Sequence, residues 1–261
     1  NTVSSDLPLV PTLTGPGEIT SWAMNGSLPA GLSFGTNNGT IYGTPTELLT
    51  RTAYTIWANN SGGSSAAYLN ITVVDELPAL SYSPSALDLT NNTVSSDLPL
   101  VPTVAGAGEI TSWFINASLP AGLSFGTNNG TIWGTPTELW PQRSYTVLAN
   151  NSGGTSVAYL NITVVDELPT LSYSPSTLLM TMGNQSSDLP LNATLNGSGV
   201  IISWEINPTL PAGLSFGTSN GTIWGMPTVL QTTTVYTVWA NNTGGSTSAI
   251  INITIIDEPP G

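Results

Sequence analysis

Fifteen asparagines stand two residues ahead of a serine or threonine with no proline between them: Asn25, Asn38, Asn59, Asn70, Asn91, Asn116, Asn129, Asn150, Asn161, Asn184, Asn192, Asn196, Asn220, Asn241 and Asn252. Asn-x-Ser/Thr is the acceptor pattern for N-linked glycans. Composition alone gives roughly six or seven matches in a chain this rich in Asn, Ser and Thr. The placement of the excess is informative. Asn70, Asn161 and Asn252 alternate with apolar neighbours such as Leu69 and Ile71, so they face outward on a strand, while Asn38, Asn59 and their equivalents lie in or beside turns. Both are accessible places for a sugar.

Carboxylates are the second recurring chemistry. Asp75-Glu76, Asp166-Glu167 and Asp257-Glu258 end successive segments, and Asp6, Asp97 and Asp188 lie in Ser-Ser-Asp-Leu-Pro. A hard cation such as calcium needs several oxygens at one point. Asp75, Glu76, Asp97, Asp166, Glu167 and Asp188 are therefore the candidate metal set, with Asp166 and Glu167 reaching Asp188 or a loop of the next segment. Turn formation and strand termination account for the same residues more simply, so no cofactor is expected and calcium is disfavoured.

Catalysis has little to work with. The chain has no His, Cys or Lys. The usual triads, thiol nucleophiles and histidine metal sites are therefore excluded. A carboxylate pair for glycoside hydrolysis fails on recurrence. Glu18 and Glu109 become Val200, and Glu47 and Glu138 become Val229. The expectation is a protein that is not an enzyme.

The elements that carry these residues repeat with a period of 91. Asp6, Asp97 and Asp188 keep that spacing, and so do Trp22, Trp113 and Trp204. A fixed period of this size marks a tandem array of one folding unit. The boundaries expected are 1–76, 77–167 and 168–261. Three periods would run to 273 residues, the chain has 261, and the 12 missing ones align with Leu171 through Met182. The first unit is thus expected to lack its opening strand. That strand would come from upstream in a longer product or, by strand complementation, from another molecule.

Within a unit, Tyr54, Ile56 and Ala58 share one face of a strand, and Leu69, Ile71 and Val73 share one face of the next. Asn59-Asn60-Ser61-Gly62-Gly63 between them reads as a hairpin turn. Pro, Gly and Asn interrupt the chain every few residues and no crossover helix is available, so a parallel α/β fold is excluded. About seven strands per unit predict an all-β fold of antiparallel sandwiches. Trp22, Trp113 and Trp204 are expected in the core. Tyr42, Trp57, Trp133, Trp224 and Trp239 alternate outward and are candidate contact aromatics for sugars or neighbouring chains.

Charged residues make up 7% of the chain, the only cations are Arg51 and Arg143, and the formal charge is −13. This excludes nucleic acid, which requires clustered Lys or Arg, and binding to anionic membranes. No apolar run is long enough to insert into a bilayer.

The segment Leu28-Pro29-Ala30-Gly31-Leu32-Ser33-Phe34, continuing through Gly39-Thr40-Ile41-Tyr42-Gly43-Thr44-Pro45-Thr46, recurs at 119–137 and 210–228. It resembles the putative-Ig (He-PIG type) repeats, relatives of dystroglycan-type cadherin-like domains, of long bacterial and archaeal surface proteins. The resemblance implies immunoglobulin-like or cadherin-like sandwiches in an extracellular setting. Such repeats often carry an acidic residue after Leu-Ser-Phe, where this chain has Gly35, Gly126 and Gly217. The expected role is a non-catalytic, glycosylated stalk, surface-layer or filament subunit whose partners are copies of itself or further repeats. The alternative is an adhesin that binds carbohydrate or another cell.

Overall fold

The computed structural model describes residues 4–106 and 108–258. Among them there is no helix; the regular structure is all strand. The second unit shows the full plan. It holds β6 (Ala79–Ser81), β7 (Ala86–Thr90), β8 (Thr103–Ala105), β9 (Ser112–Ile115), β10 (Leu123–Phe125), β11 (Ile132–Gly134), β12 (Trp140–Asn151) and β13 (Gly154–Val165). The third repeats it as β14 (Thr170–Tyr173) to β21 (Gly245–Ile256). The first has five strands: β1 (Ser21–Met24), β2 (Leu32–Phe34), β3 (Ile41–Gly43), β4 (Leu49–Asn60) and β5 (Gly63–Val73).

One layer of the second unit is the sheet β7-β13-β12-β9. Facing it are the pairs β6-β8 and β10-β11, joined where Leu100 bridges Ile132. Inward residues alternate along each strand as the pleat dictates. Tyr145, Val147 and Ala149 on β12 and Leu160 and Ile162 on β13 are fully buried against Leu87, Leu89 and Ile132. Burial of each large aliphatic contributes about 1.5–3 kcal/mol. The two long strands meet at Asn151↔Gly154, which places a two-residue turn where the Asn-Ser-Gly-Gly sequence predicts one.

Two details depart from the sequence expectation. Complete units have eight strands rather than about seven, because the short β8 hides in a Pro-rich run that lacks alternation. The edge strand β7 also runs parallel to β13, with Leu87 beside Ile162 and Leu89 beside Val164. The remaining ladders of this unit are antiparallel, and β15 (Thr177–Thr181) repeats the parallel pairing on β21 in the third unit.

Trp113 and Trp204 are core residues, as expected. Each ring lies against a glycine, Gly130 or Gly221, whose φ is near +70° and where a Cβ would sit 2.4 Å from the indole. Trp22 packs on Gly39 in the same way but is only half buried. Among the described residues this unit has no strands equivalent to β6 and β7, and its sheet runs β1-β4-β5.

Tyr82 on the chain between β6 and β7 is buried, and its hydroxyl donates to the Gly130 carbonyl at 2.5 Å. Tyr173 does the same to Gly221 at 2.6 Å. Desolvation by burial pushes both phenols above the ordinary tyrosine range. A folded-state pKa raised above the unfolded value of about 10 gives stability that is full below that pH and is lost as pH rises through the folded pKa. The melting temperatures of units two and three should therefore fall above about pH 10. Tyr82→Phe with Tyr173→Phe should flatten that decline in an alkaline melting series.

Candidate glycan-bearing surface and inter-repeat joint

The strand ladders sort the fifteen sequons by what their side chains already do. Asn59, Asn150 and Asn241 are built into the sheet. Their Nδ2 atoms donate to Ser21, Ser112 and Ser203 at 3.3, 2.9 and 3.0 Å, and Asn241 also donates to Glu205. Their Oδ1 atoms accept from Ser64, Thr155 and Ser246 across the hairpin. A glycan takes the same nitrogen, so these three are committed elsewhere. Asn91 is also compromised, since its Oδ1 is buried without a partner.

Among the described residues, the other eleven make no hydrogen bond through the amide nitrogen. Asn25 and Asn116 use only Oδ1, which accepts the backbone N–H of Thr55 and Thr146 at 2.5 and 2.9 Å. Asn38, Asn129 and Asn220 are exposed at the tips of the turns before β3, β11 and β19 (Ile223–Gly225). Their Oδ1 atoms accept the N–H two residues on at 3.1 Å. Asn192 accepts from Thr222, while Asn184 and Asn196 are exposed. Asn70, Asn161 and Asn252 lie on the outer face of the long second strand of each hairpin, as the alternation predicts. Asn70 is exposed, and Asn161 and Asn252 are half buried.

The turn that carries Asn38 explains why glycine follows Leu-Ser-Phe. The Gly35 N–H donates to the Thr40 carbonyl, and the Gly39 N–H donates back to Gly35. A Cβ on Gly35 would stand 2.2 Å from Asn38 Oδ1. At Gly126 and Gly217 the ring of Trp133 or Trp224 also lies within 3.2 Å of that position.

The contact aromatics divide. Tyr42, Trp133 and Trp224 are exposed at 50%, 44% and 44%, each opposite a serine in its two-stranded ladder. Trp57 and Trp239 are half buried in the outer face of the large sheet. Alternation alone missed more exposed rings on that face, Tyr68 and Tyr159, which are 84% and 70% exposed. Each is two residues ahead of a sequon asparagine on the same face, which is the signal that would have found them.

The acidic residues are placed quite differently from a metal cage. Asp75 lies between β5 and β6, where its backbone N–H donates to Ser152 Oγ at 2.8 Å. The Ser152 hydroxyl donates back to Asp75 Oδ2 at 2.8 Å. Beside it, Asn151 Nδ2 donates to the Glu76 carbonyl at 2.7 Å while its Oδ1 accepts the Gly153 N–H. The hairpin tip of one unit therefore grips the exit strand of the unit before it.

The next joint is built the same way. Thr243 exchanges both hydrogen bonds with Asp166 at 2.8 and 3.0 Å, and Asn242 donates to the Glu167 carbonyl at 2.7 Å. Here Glu167 is itself engaged by the Ser198 hydroxyl and N–H, which hold its carboxyl below the usual range. Close backbone approach requires the glycines: a Cβ on Gly153 would stand 2.1 Å from the Asp75 carbonyl oxygen, and one on Gly244 2.2 Å from that of Asp166.

Asp97 and Asp188 take no part in these joints. They are exposed in turns held by Ser95 and Ser186, whose hydroxyls accept the aspartate N–H groups. Asp188 follows β15 (Thr177–Thr181), whose end pairs with Ile256 at the far end of β21 from the Thr243 tip. Of the two expected partners of Asp166 and Glu167, Asp188 lies the length of β21 away, whereas loops of the next unit meet them at Thr243 and Ser198. Among the described residues, no group of three or more acidic side chains converges. Among the same residues, no helix is long and apolar enough to cross a membrane.

The family model described as "Putative Ig domain" matches residues 1–74, 78–165 and 168–256. Curated relatives include the protein named "Serine-rich adhesin for platelets" of Staphylococcus aureus. The MRSA252 protein is 31% identical over 156 residues, 57% of this chain and 11% of that protein. The strain USA300 protein of the same name matches at 31% over 57% of this chain and 6% of its own length. The chain thus spans a small fraction of these relatives. Among solved structures, Drosophila N-cadherin EC1-3 aligns with 97% of this chain and 96% of its own at 13% identity and a TM-score of 0.40. The titin I-band fragment I67-I69 aligns with 93% and 89% at 17% identity and a TM-score of 0.39. With the family model matching along nearly the whole length, the chain belongs to the "Putative Ig domain" family as three successive repeats.

Proposed function

We propose that this chain is a non-catalytic spacer segment of an extracellular protein, in which sandwiches are held in series by hydrogen-bonded joints and coated with N-linked glycans. The observation that carries the reading is the joint. Two joints 91 residues apart use the same reciprocal hydroxyl–aspartate exchange and the same asparagine–carbonyl bond. A device repeated in register at every boundary sets spacing and limits bending, which is what a stalk, surface layer or filament needs. The joints are held by hydroxyl and amide donors on Asp75 Oδ2, Asp166 Oδ2 and the Glu76 and Glu167 carbonyls, so the array is expected to align without a metal. Calcium and chelator should leave the melting temperature unchanged; a rise of several degrees with calcium would overturn this part.

Glycans supply the solvation that the sparse charges do not. They are expected at Asn70, Asn161 and Asn252 and at the exposed turn sites Asn38, Asn129 and Asn220. Asn59, Asn150 and Asn241 should stay bare, because their nitrogens are bonded within the sheet. Site-resolved mass spectrometry of the chain produced in a glycosylating host tests this. Full occupancy at Asn150, with Asn161 and Asn129 unmodified, would contradict it.

The second reading is an adhesin, favoured by the relatives' printed name and by the exposed Trp133 and Trp224. It predicts binding to surface carbohydrate that is lost with Trp133→Ala and Trp224→Ala.

A further inference from the structure

We propose that the glycan on Asn161 lies along the sandwich instead of standing off it, with the apolar face of its first sugar stacked on the ring of Tyr159. Tyr68 and Asn70 form the same site one repeat earlier. The proposal rests on the glycan reading above and gives that modification a seat on the protein surface.

The register brings ring and acceptor together. Tyr159 and Asn161 are successive outward positions of β13, while Ala158, Leu160 and Ile162 point inward and are buried. On β12 their partners are Thr146 and Ser144. Two residues along a strand span about 6.6–6.8 Å on one face. A sugar on Asn161 therefore starts within the roughly 4.5–7 Å over which stacked rings attract. The Ser144 hydroxyl donates to Asn161 Oδ1 at 2.5 Å and orients the amide. The nitrogen, which carries a glycan, makes no hydrogen bond among the described residues.

The chemistry matches. An aromatic ring has a negative face, and the C–H bonds on one face of a pyranose carry the complementary charge. Tyr159 presents that ring to solvent within a complete unit, 70% exposed. The next outward residue, Val157, pairs with Leu148, which pairs in turn with Phe114. Val157 and Phe114 are both exposed, so an apolar row crosses this sheet. Asn161, Tyr159 and Val157 follow one another along one face, so a sugar seated on the tyrosine extends toward that row. Its outer hydroxyls then replace apolar surface with polar surface, which disfavours sticking between copies.

The third unit is an internal control. Ile250 stands where the others have Tyr68 and Tyr159, again two residues ahead of a sequon asparagine, Asn252, on the outward face. It offers the same tether and no ring.

The test uses the whole chain from a glycosylating eukaryotic host, trimmed by an endoglycosidase to one N-acetylglucosamine per site, with occupancy read by mass spectrometry. Protons of the sugar on Asn161 should shift upfield and show Overhauser contacts to the Tyr159 ring, and those on Asn252 should not. Tyr159→Ile, the residue that the third unit accommodates at this position, should abolish the shift. Ile250→Tyr should produce it at Asn252. Relative to Asn161→Gln, the sugar should raise the melting temperature of the second unit by about 2–6 °C, and by under about 1 °C when Tyr159→Ile is also present. An occupied Asn161 whose sugar has the same shifts as that on Asn252 would overturn the stacking and leave the glycan reading intact. An unmodified Asn161 would overturn both. Tyr159 signals that move with chain concentration and not with the sugar would make a second copy the occupant, and would also overturn the proposal.

Discussion

Leu160→Ala should cost the second unit about 2–5 kcal/mol, while Leu69→Ala at the equivalent position of the first should cost under about 2 kcal/mol. Both side chains point inward from the second strand of the hairpin and have the same neighbours in sequence. Leu160 is fully buried beneath β7, so truncation removes the transfer energy of its methyl groups and leaves a cavity. Leu69 is half buried, already touches water, and leaves no sealed void. A loss near the upper value is a large part of the roughly 5–15 kcal/mol of a typical domain. Urea unfolding followed unit by unit with hydrogen exchange separates the two effects. Equal losses at both positions would mean that Leu69 is covered in solution.

Gly153→Ala is expected to act on the joint rather than on the sandwich. The new methyl would stand 2.1 Å from the Asp75 carbonyl oxygen and 3.0 Å from its carbon, both backbone atoms that cannot rotate away. Relief requires the hairpin tip to withdraw from the exit strand. That withdrawal breaks the Ser152–Asp75 exchange and the Asn151–Glu76 bond, each worth about 1 kcal/mol. With overpacking of about 1–3 kcal/mol at the contact, the joint should open while both cores remain intact. Gly244→Ala should do the same at the second joint. Gly62→Ala has no carbonyl to strike among the described residues and should stay within about 0.5 kcal/mol of the parent. Small-angle scattering would show the opening as a broader distribution of distances between units. Unchanged scattering for Gly153→Ala would mean that the joint yields elsewhere.

Much of the unit was legible because its signals are local. Tyr54-Ile56-Ala58 and Leu69-Ile71-Val73 alternate strictly, and the intervening Asn-Ser-Gly-Gly has the residues that a tight turn requires, so strands, inward face and hairpin followed directly. The outward placement of Asn70, Asn161 and Asn252 followed from the same period of two. The parallel edge strand was not legible, since Ala86-Leu87-Asp88-Leu89-Thr90 alternates equally well for either direction and its partner is about 75 residues away. The joint was hidden for the same reason. Asp75 and Ser152 are 77 residues apart, and nothing near either one marks the contact. The sheet-bound role of Asn59, Asn150 and Asn241 was also non-local: their nitrogen partners are serines 38 residues away on a neighbouring strand. Sequence could count the sequons, but only pairing could show which amides are already taken.

The most direct test of the account is the alignment of adjacent units measured by residual dipolar couplings, in excess calcium, in chelator, and in a chain carrying Ser152→Ala and Thr243→Val. The account predicts one alignment tensor shared by all three units in both calcium and chelator, and separate, reduced tensors once the two hydroxyls are removed. Alignment that appears only with calcium, or that survives loss of both hydroxyls, would contradict it.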